Sequence, residues 1–161
     1  MNNSKAKYTA FDTAVYLLTY KNRTVKEIED KLVSKGYSEA EIDKAINKLK
    51  EYSFVDDENY TLLYIKSNFN KKGEKLIRRE LEQKGIEREL IRTKIDELEI
   101  SEKEEEKIEA IFNKRFINLN LDDIKIQNKI YSYFLRRGFS YGKISKIVKN
   151  HKEMHEIDIW L

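Results

Sequence analysis

Residues 28–42 read IEDKLVSKGYSEAEI, and this stretch carries the signals that decide the fold. Ile28 and Leu32 are four residues apart, so they lie on one face of a helix, and Gly36 follows after four more. A glycine at this place is typical of a residue that ends a helix in the left-handed conformation. The run at 38–41, SEAE, is a capping box that starts another helix, and TVKE at 24–27 repeats the box one helix earlier. The stretch therefore predicts two helices joined by a tight turn.

The same pattern occurs three times along the chain. The turn glycines are Gly36, Gly85 and Gly138, which are 49 and 53 residues apart. Each has apolar residues eight and four positions before it, one directly after it, and an isoleucine six positions after it. These residues are Ile28, Leu32, Tyr37 and Ile42, then Ile77, Leu81, Ile86 and Ile91, then Ile130, Phe134, Phe139 and Ile144. The apolar residue directly after each glycine and the isoleucine six positions after the glycine are spaced for a hydrophobic staple across the start of the next helix.

A further apolar segment precedes each pair of helices, at 14–18, 62–65 and 108–116. Each copy is therefore predicted to be a three-helix unit. The chain has no proline and only five glycines, which favours helix almost throughout. Units of this size are close to the lower limit for independent folding, so neighbours are expected to pack on one another. We predict an all-α fold of three tandem three-helix repeats in an elongated or curved array.

The repeats divide the sequence into five predicted parts. These are an N-terminal extension at 1–9, repeats at 10–59, 60–100 and 101–150, and a C-terminal tail at 151–161. Ser101 and Glu104 have the spacing of a capping box and are predicted to start the first helix of the third repeat. The apolar group at 157–161 is expected to dock on that repeat.

Composition restricts the location and the partners of the protein. Cysteine is absent, which fits a reducing compartment, and no stretch approaches the length of a membrane span. We expect a soluble, cytoplasmic protein. The net charge of +3 is unevenly distributed, because residues 10–59 carry −3 and residues 108–150 carry +6. This asymmetry indicates an anionic partner for the C-terminal half, either nucleic acid or an acidic protein surface.

Few residues have a pattern that would support catalysis or metal binding. Asp56 and Asp57 lack nearby partner ligands, and an aspartate at this place is expected to cap the helix that begins near Glu58. His151 and His155 would share a helix face but lack a third ligand, so we interpret them as surface histidines. No phosphate-binding loop or activated nucleophile is recognisable. We predict no enzymatic activity, no cofactor and no metal.

Basic residues are the candidate binding residues. They cluster on one helix of the second repeat and on two helices of the third, where they interleave with Tyr131, Tyr133 and Tyr141. The candidate nucleic-acid- or filament-binding residues are Lys71, Lys72, Lys75, Arg78, Arg79, Lys129, Arg136, Arg137, Lys143, Lys146 and Lys149. Such cations neutralise phosphates, and exposed tyrosines can stack on bases. The alternative interpretation is a solvated face over core aromatics.

Several motifs in order resemble the signature of the RecX family. They are FVDDENY at 54–60, Lys66-Ser67, Lys72-Gly73, Arg78-Arg79-Glu80-Leu81 and Lys84-Gly85-Ile86, preceded by Leu17-Leu18 and Lys35-Gly36-Tyr37. The similarity spans roughly residues 10–150 and is weakest in the third copy, where residues 118–123 enlarge a connection. The resemblance implies tandem three-helix repeats and a modulator of the recombinase RecA. Members of the family lie in the groove of the RecA–DNA filament and restrain ATP hydrolysis and strand exchange.

Two functional hypotheses follow from the residues and the resemblance. In the first, the protein is a monomer that binds RecA and the RecA–DNA filament and contacts single- or double-stranded DNA with weak sequence specificity. In the second, it is a free-standing helical DNA-binding regulator that acts without RecA, because three-helix units resemble helix-turn-helix modules. The expected solvation of the basic side chains means that their removal should leave folding intact.

Overall fold

The structure is a computed structural model that describes the backbone of residues 8–158 and the side chains of residues 8–154. Its described part consists of α-helices joined by short connections, and it contains no strand. The helices are α1 Ala10–Tyr20, α2 Val25–Ser34, α3 Glu39–Glu51, α4 Asp57–Asn68, α5 Glu74–Gln83, α6 Arg88–Glu97, α7 Ile100–Arg115, α8 Ile124–Arg136 and α9 Tyr141–Asp158. The prediction of an all-α fold of tandem three-helix repeats is confirmed. The predicted docking of the apolar group at 157–161 concerns side chains outside those described.

Each repeat has its own hydrophobic core, built from the apolar positions that the sequence pattern identifies. The six residues eight and four positions before the turn glycines are completely buried. They are Ile28, Leu32, Ile77, Leu81, Ile130 and Phe134. In each repeat they pack against apolar residues of the other two helices. Helices α1–α3, α4–α6 and α7–α9 therefore enclose three separate hydrophobic clusters. Complete burial of one such side chain contributes about 1.5–3 kcal/mol, so each of these six positions stabilises its repeat substantially.

All three turn glycines have the left-handed conformation that the pattern predicts. Their φ angles are +85° at Gly36, +80° at Gly85 and +81° at Gly138. In each turn the glycine N–H donates to the carbonyl three residues before it. The next N–H reaches the carbonyl five residues before its own position, as in Tyr37 to Leu32. This bonding satisfies the carbonyls that the helix end leaves free.

The predicted helix starts are right at three places and wrong at one. Capping boxes at Thr24 and Ser38 begin α2 and α3, and the Asp56 carboxylate accepts from the Asn59 N–H at 2.9 Å to cap α4. The capping box at Ser101 and Glu104 does not form. Helix α7 begins at Ile100, directly after Glu99 in a left-handed conformation. The two polar side chains instead contact the start of α5, so a tertiary contact replaces the local one.

The middle helix of each repeat is α2, α5 or α8. Neighbouring repeats join where the first turn of one middle helix contacts the glycine turn of the following repeat. At the first junction, the Thr24 hydroxyl donates to the Lys84 carbonyl at 2.6 Å, and Glu27 forms an ion pair with the Lys84 ammonium at 2.9 Å. The Asp57 carboxylate accepts from the Val25 N–H at 3.0 Å. Helix α2 therefore begins on the turn that ends α5.

The second junction has the same arrangement with different bonds. The N–H groups of Gly73 and Lys75 donate to the carbonyls of Arg137 and Gly138, at 2.8 Å and 3.2 Å. Between them, the Glu74 N–H donates to the carboxylate of Glu104 on α7 at 3.0 Å. The free amides at the start of α5 are thus capped by the following repeat, which explains why Gly73 needs no capping side chain. The middle helices α2, α5 and α8 consequently form a head-to-tail row.

The three turn glycines provide a matched test of these junctions. Alanine at any of them meets an unfavourable positive φ, which costs about 1–2 kcal/mol. Nothing lies near the Cβ position at Gly36, whereas a Cβ at Gly85 would overlap Lys26 and one at Gly138 would overlap the Leu76 backbone. We expect Gly36→Ala to lower the unfolding free energy by about 1 kcal/mol. Gly85→Ala and Gly138→Ala should each lower the unfolding free energy by about 1–3 kcal/mol more, because the added Cβ overpacks the junction. The loss should be larger for Gly138→Ala, since the backbone of Leu76 must move.

Urea unfolding of the three single variants measures these costs. Equal losses of unfolding free energy at all three positions would contradict the close contacts at Gly85 and Gly138, because only the cost of the positive φ would then be present.

Candidate nucleic-acid and filament interface

The structure divides the eleven predicted binding residues into two groups. Five form ion pairs with carboxylates of the same chain. The pairs are Lys72–Glu80 at 2.7 Å, Arg78–Glu74 at 2.7 Å, Lys143–Glu104 at 3.3 Å, Lys146–Glu105 at 2.5 Å and Lys149–Glu153 at 3.8 Å. The other six have no carboxylate within 4 Å among the described side chains. They are Lys71, Lys75, Arg79, Lys129, Arg136 and Arg137.

Lys72 belongs to a partly buried network on the surface of the second repeat. Its ammonium binds Glu80, which also accepts a hydrogen bond from the Tyr64 hydroxyl at 2.7 Å. Burial raises the pKa of the Glu80 carboxyl, but the hydrogen bonds from Lys72 and Tyr64 outweigh it, and the net pKa is lowered. Burial and the bond to Glu80 both raise the pKa of Tyr64. Lys72 is therefore engaged inside its own repeat.

The predicted solvation of the basic side chains is wrong most clearly at Lys143. Its ammonium donates to the Ser101 carbonyl and lies 3.3 Å from Glu104, whose side chain is only 3% exposed. Glu104 is the carboxylate that caps α5. Lys143 thus supplies the counter-charge for a buried carboxylate at the second junction, a role that no local sequence pattern reveals. Arg78 is also partly buried against Glu74, so neither cation is a simple surface charge.

The unpaired cations of the middle helices lie on solvent-facing surfaces. On α5, Lys75 and Arg79 are four residues apart and lie opposite the buried face of Ile77 and Leu81. On α8, Lys129 and Arg136 are seven residues apart, so they share a helix face, and both are exposed. Sequence reasoning missed Lys125, which is exposed one turn before Lys129 and could have been found by extending the four-residue spacing.

The second junction brings the two basic surfaces next to each other along the chain of middle helices. The Gly73 N–H bonds to the Arg137 carbonyl at 2.8 Å, which connects the segment before α5 to the end of α8. Lys71 lies two residues before this contact and Arg136 one residue before it. We call the six exposed residues Lys71, Lys75, Arg79, Lys125, Lys129 and Arg136 the basic row. An extended anion such as a nucleic-acid backbone fits a series of separated cations better than a small ligand does.

The three tyrosines of the third repeat have different environments. Tyr141 is 59% exposed and its ring lies 5.4 Å from that of Tyr131. Tyr133 is half-buried with its ring edge-on to Phe116 at 5.2 Å. Tyr141 is thus the largely exposed ring of the three. Tyr131 and Tyr133 are half-buried and pack against the core of the third repeat, so the core interpretation is correct for both.

His151 is a buried residue, so its interpretation as a surface histidine is wrong. The imidazole Nε2 lies 2.6 Å from a Glu109 carboxylate oxygen, and the ring stacks on Phe112 at 4.4 Å. These contacts pack α9 against α7. The side chain of His155 lies outside those described. Among the side chains at 8–154, no cluster of three or more histidine, aspartate or glutamate residues is arranged to hold a metal ion.

Each of the three repeats matches a known family model. Family models described as the first, second and third three-helix domains of RecX match residues 10–49, 56–94 and 102–148. The chain belongs to the RecX family. The recognition made from the sequence motifs is therefore confirmed. Each matched range contains one of the three turn glycines, so the repeat pattern coincides with the RecX domain pattern.

Individual relatives agree with the RecX domain matches. "Regulatory protein RecX" of Clostridium botulinum (strain Alaska E43 / Type E3) is 34% identical over 150 residues, which is 91% of this chain and 70% of that protein. The protein of the same name from Clostridium botulinum (strain Eklund 17B / Type B) is 36% identical over 152 residues, with the same coverage. The crystal structure of RecX from Lactobacillus salivarius superposes with a TM-score of 0.75 at 32% identity, covering 88% of this chain and 94% of that one.

Among the described helices of this RecX chain, none is both long enough and apolar enough to cross a membrane.

Glu104 and Glu105 provide an adjacent pair of tests in the RecX chain. Both bind lysines of α9, but only Glu104 is buried and also caps α5. Glu104→Ala leaves the Glu74 amide without its acceptor and the Lys143 ammonium without its counter-charge, and should lower the unfolding free energy by about 2 kcal/mol. Glu105→Ala removes a solvated pair and should cost at most about 0.5 kcal/mol. Thermal or urea unfolding measures both, and equal costs would show that Glu104 does not hold the junction.

Glu80 gives a prediction for the dependence of stability on pH. In the folded protein the pKa of Glu80 lies below the ordinary value of 4.5. The ionised carboxylate therefore contributes its full stabilisation above pH 4.5, and this stabilisation disappears as the pH falls through the pKa of the folded state. The parent should therefore lose stability more steeply below pH 4.5 than Glu80→Gln does. Urea unfolding between about pH 3 and 7 tests this difference. Identical pH profiles would mean that Lys72 does not bind Glu80 in solution.

Proposed function

We propose that this chain is a cytoplasmic, non-enzymatic regulator of the recombinase RecA that binds the RecA–DNA filament. In this proposal it restrains ATP hydrolysis, strand exchange and filament stability during recombination and repair. The single observation that carries the proposal is the match of all three repeats to RecX domains. Relatives that share most of the chain are named regulatory proteins, which supports a regulatory role.

The distribution of charge supports contacts with two kinds of surface. Residues 10–59 carry a net charge of −3 and residues 108–150 carry +6. The basic row is exposed and lacks internal carboxylate partners among the described side chains. In the proposed complex this row binds phosphates of the filament DNA or acidic residues of its protein, and the first repeat faces basic protein surface. Two separated contacts on one chain strengthen each other through effective concentration.

Free-standing recognition of a duplex sequence is less well supported by the helices that would read the bases. In a helix-turn-helix unit the last helix enters the major groove with polar side chains. The exposed surface of α3 mixes Lys44, Lys48 and Lys50 with four carboxylates that would repel phosphates, those of Glu39, Glu41, Asp43 and Glu51. On α6, Arg92 is paired with Glu89 at 2.5 Å. Neither helix therefore offers a predominantly positive surface for entering a groove of DNA.

ATP hydrolysis by the RecA of the same organism on single-stranded DNA tests the proposal. The parent should inhibit hydrolysis. Two triple variants remove exposed cations that have no internal pair: Lys71→Ala/Lys75→Ala/Arg79→Ala on the second repeat, and Lys125→Ala/Lys129→Ala/Arg136→Ala on the third. Three lost contacts of about 0.5 kcal/mol each correspond to about a tenfold rise in the concentration needed for half-maximal inhibition.

A matched control removes three exposed lysines from the first repeat, Lys31, Lys35 and Lys44, which also lack carboxylates within 4 Å in the described part of the chain. This variant changes the net charge equally and should inhibit almost as well as the parent. If the parent leaves ATP hydrolysis unchanged but binds one duplex sequence strongly, the free-standing regulator is the better explanation. If all variants inhibit equally, the basic row is not the contact.

A further inference from the structure

Two arginines of the third repeat converge on one tyrosine. The guanidinium carbon of Arg137 lies 3.7 Å from the centre of the Tyr133 ring, and that of Arg115 lies 5.3 Å from the same centre. The two guanidinium groups are therefore at most about 9 Å apart. They come from different helices, since Arg115 ends α7 and Arg137 follows α8. The tertiary fold brings two like charges onto one aromatic ring.

The surroundings hold these groups in place. Arg137 donates from its guanidinium to the Tyr133 carbonyl at 3.1 Å, and its own carbonyl accepts from the Gly73 N–H at the second junction. Tyr133 is fixed by its edge-on contact with Phe116. Tyr133 and Arg137 are half-buried, while Arg115 is exposed. A ligand would thus meet Arg137 and Tyr133 already in position, which reduces the entropy lost on association.

No carboxylate within 4 Å neutralises either arginine among the described side chains. The glutamates of α7 are confined to residues 102–109, whereas Arg115 is at the opposite end of that helix. On α8, Lys129 is one turn before Tyr133 on the same face and adds a third positive charge. Elsewhere in the protein, half-buried cations such as Arg78 and Lys143 have carboxylate partners. The uncompensated charge at Tyr133 is therefore a place for an external anion.

The donor chemistry selects the anion. Guanidinium groups present planar forks that match phosphate oxygens, and charge-assisted bonds of about 2.8 Å let one phosphate accept from both sides of a gap of this size. An arginine guanidinium over an aromatic ring can also stack with an unpaired base. Bases of a duplex cannot stack there without leaving their own stack.

We propose that Arg115 and Arg137, held on Tyr133, form a seat for one phosphodiester group of single-stranded nucleic acid. This inference rests on the proposed function, because it names a part of the filament DNA that the protein contacts. Lys129 assists by extending the positive surface along the strand. Arg115 is absent from the residues predicted from the sequence, because its meeting with Tyr133 depends on how α7 and α8 pack.

The test uses the full chain and a labelled oligo(dT) strand of about 20 nucleotides, with binding followed by fluorescence anisotropy at several salt concentrations. Arg115→Gln/Arg137→Gln should weaken binding about five- to tenfold. It should also reduce the magnitude of the salt slope by about 0.7, the value for one phosphate on a single strand. Arg115→Lys/Arg137→Lys keeps the charge but loses the forks, so it should keep the slope and still bind more weakly.

The matched control is Arg88→Gln/Arg92→Gln, which removes two charges from exposed arginines that are paired with Glu82 and Glu89. It should change affinity less than twofold. Circular dichroism and unfolding establish that each variant is folded, and the lysine variant preserves the contact of a cation with Tyr133. If the seat variant binds as the control does, the seat is wrong. If a duplex of the same length loses as much affinity as the single strand, the preference for an unpaired strand is wrong.

The oligo(dT) experiment and the RecA experiment test the seat and the proposed function separately. A parent that regulates RecA while the seat variant binds oligo(dT) normally would remove the seat and leave the regulator. A parent that binds oligo(dT) through the seat without affecting RecA would do the opposite.

Discussion

The rest of the structure depends on the close approach between a glycine turn and the first turn of the middle helix in the preceding repeat. A left-handed glycine ends each middle helix and lacks a Cβ, so the backbone or side chain of the neighbouring helix can lie directly against it. Gly85 receives α2 in this way and Gly138 receives α5. Each contact also supplies acceptors for amides that a helix start leaves unpaired. Three small cores, each marginal by itself, thereby become one row.

The same junctions decide which charges remain available for binding. Glu27, Glu74 and Glu104 lie at these contacts, and each needs a cation in a partly buried environment. Lys84, Arg78 and Lys143 supply them. A basic side chain at a junction therefore stabilises the array, while one that lies on the outer face of α5 or α8 stays solvated. This physical division separates cations that look equivalent in the sequence.

The consequence for function is a chain whose basic residues follow the row of middle helices and whose acidic residues are concentrated at its start and in the first half of α7. Such a distribution suits a long, composite partner better than a compact ligand. The arginines at Tyr133 fall at the junction end of α8, beside the segment that carries Lys71. A contact there would be coupled mechanically to the second and third repeats together.

Sequence by itself determined the repeats, because their signals are local: apolar residues at four-residue spacing, a glycine that ends a helix, and a polar residue that starts the next. The buried positions, the left-handed glycines and the caps at Thr24, Ser38 and Asp56 all follow from contacts within a few residues. Tertiary structure decided what depends on distant residues. Ser101 and Glu104 have a capping spacing, yet they bond to the start of α5, which lies about 30 residues earlier. The burial of His151, the pairing of Lys143 and the meeting of Arg115 with Tyr133 arise from helix packing, since burial and electrostatic pairing depend on distances in space that spacing along one helix does not encode.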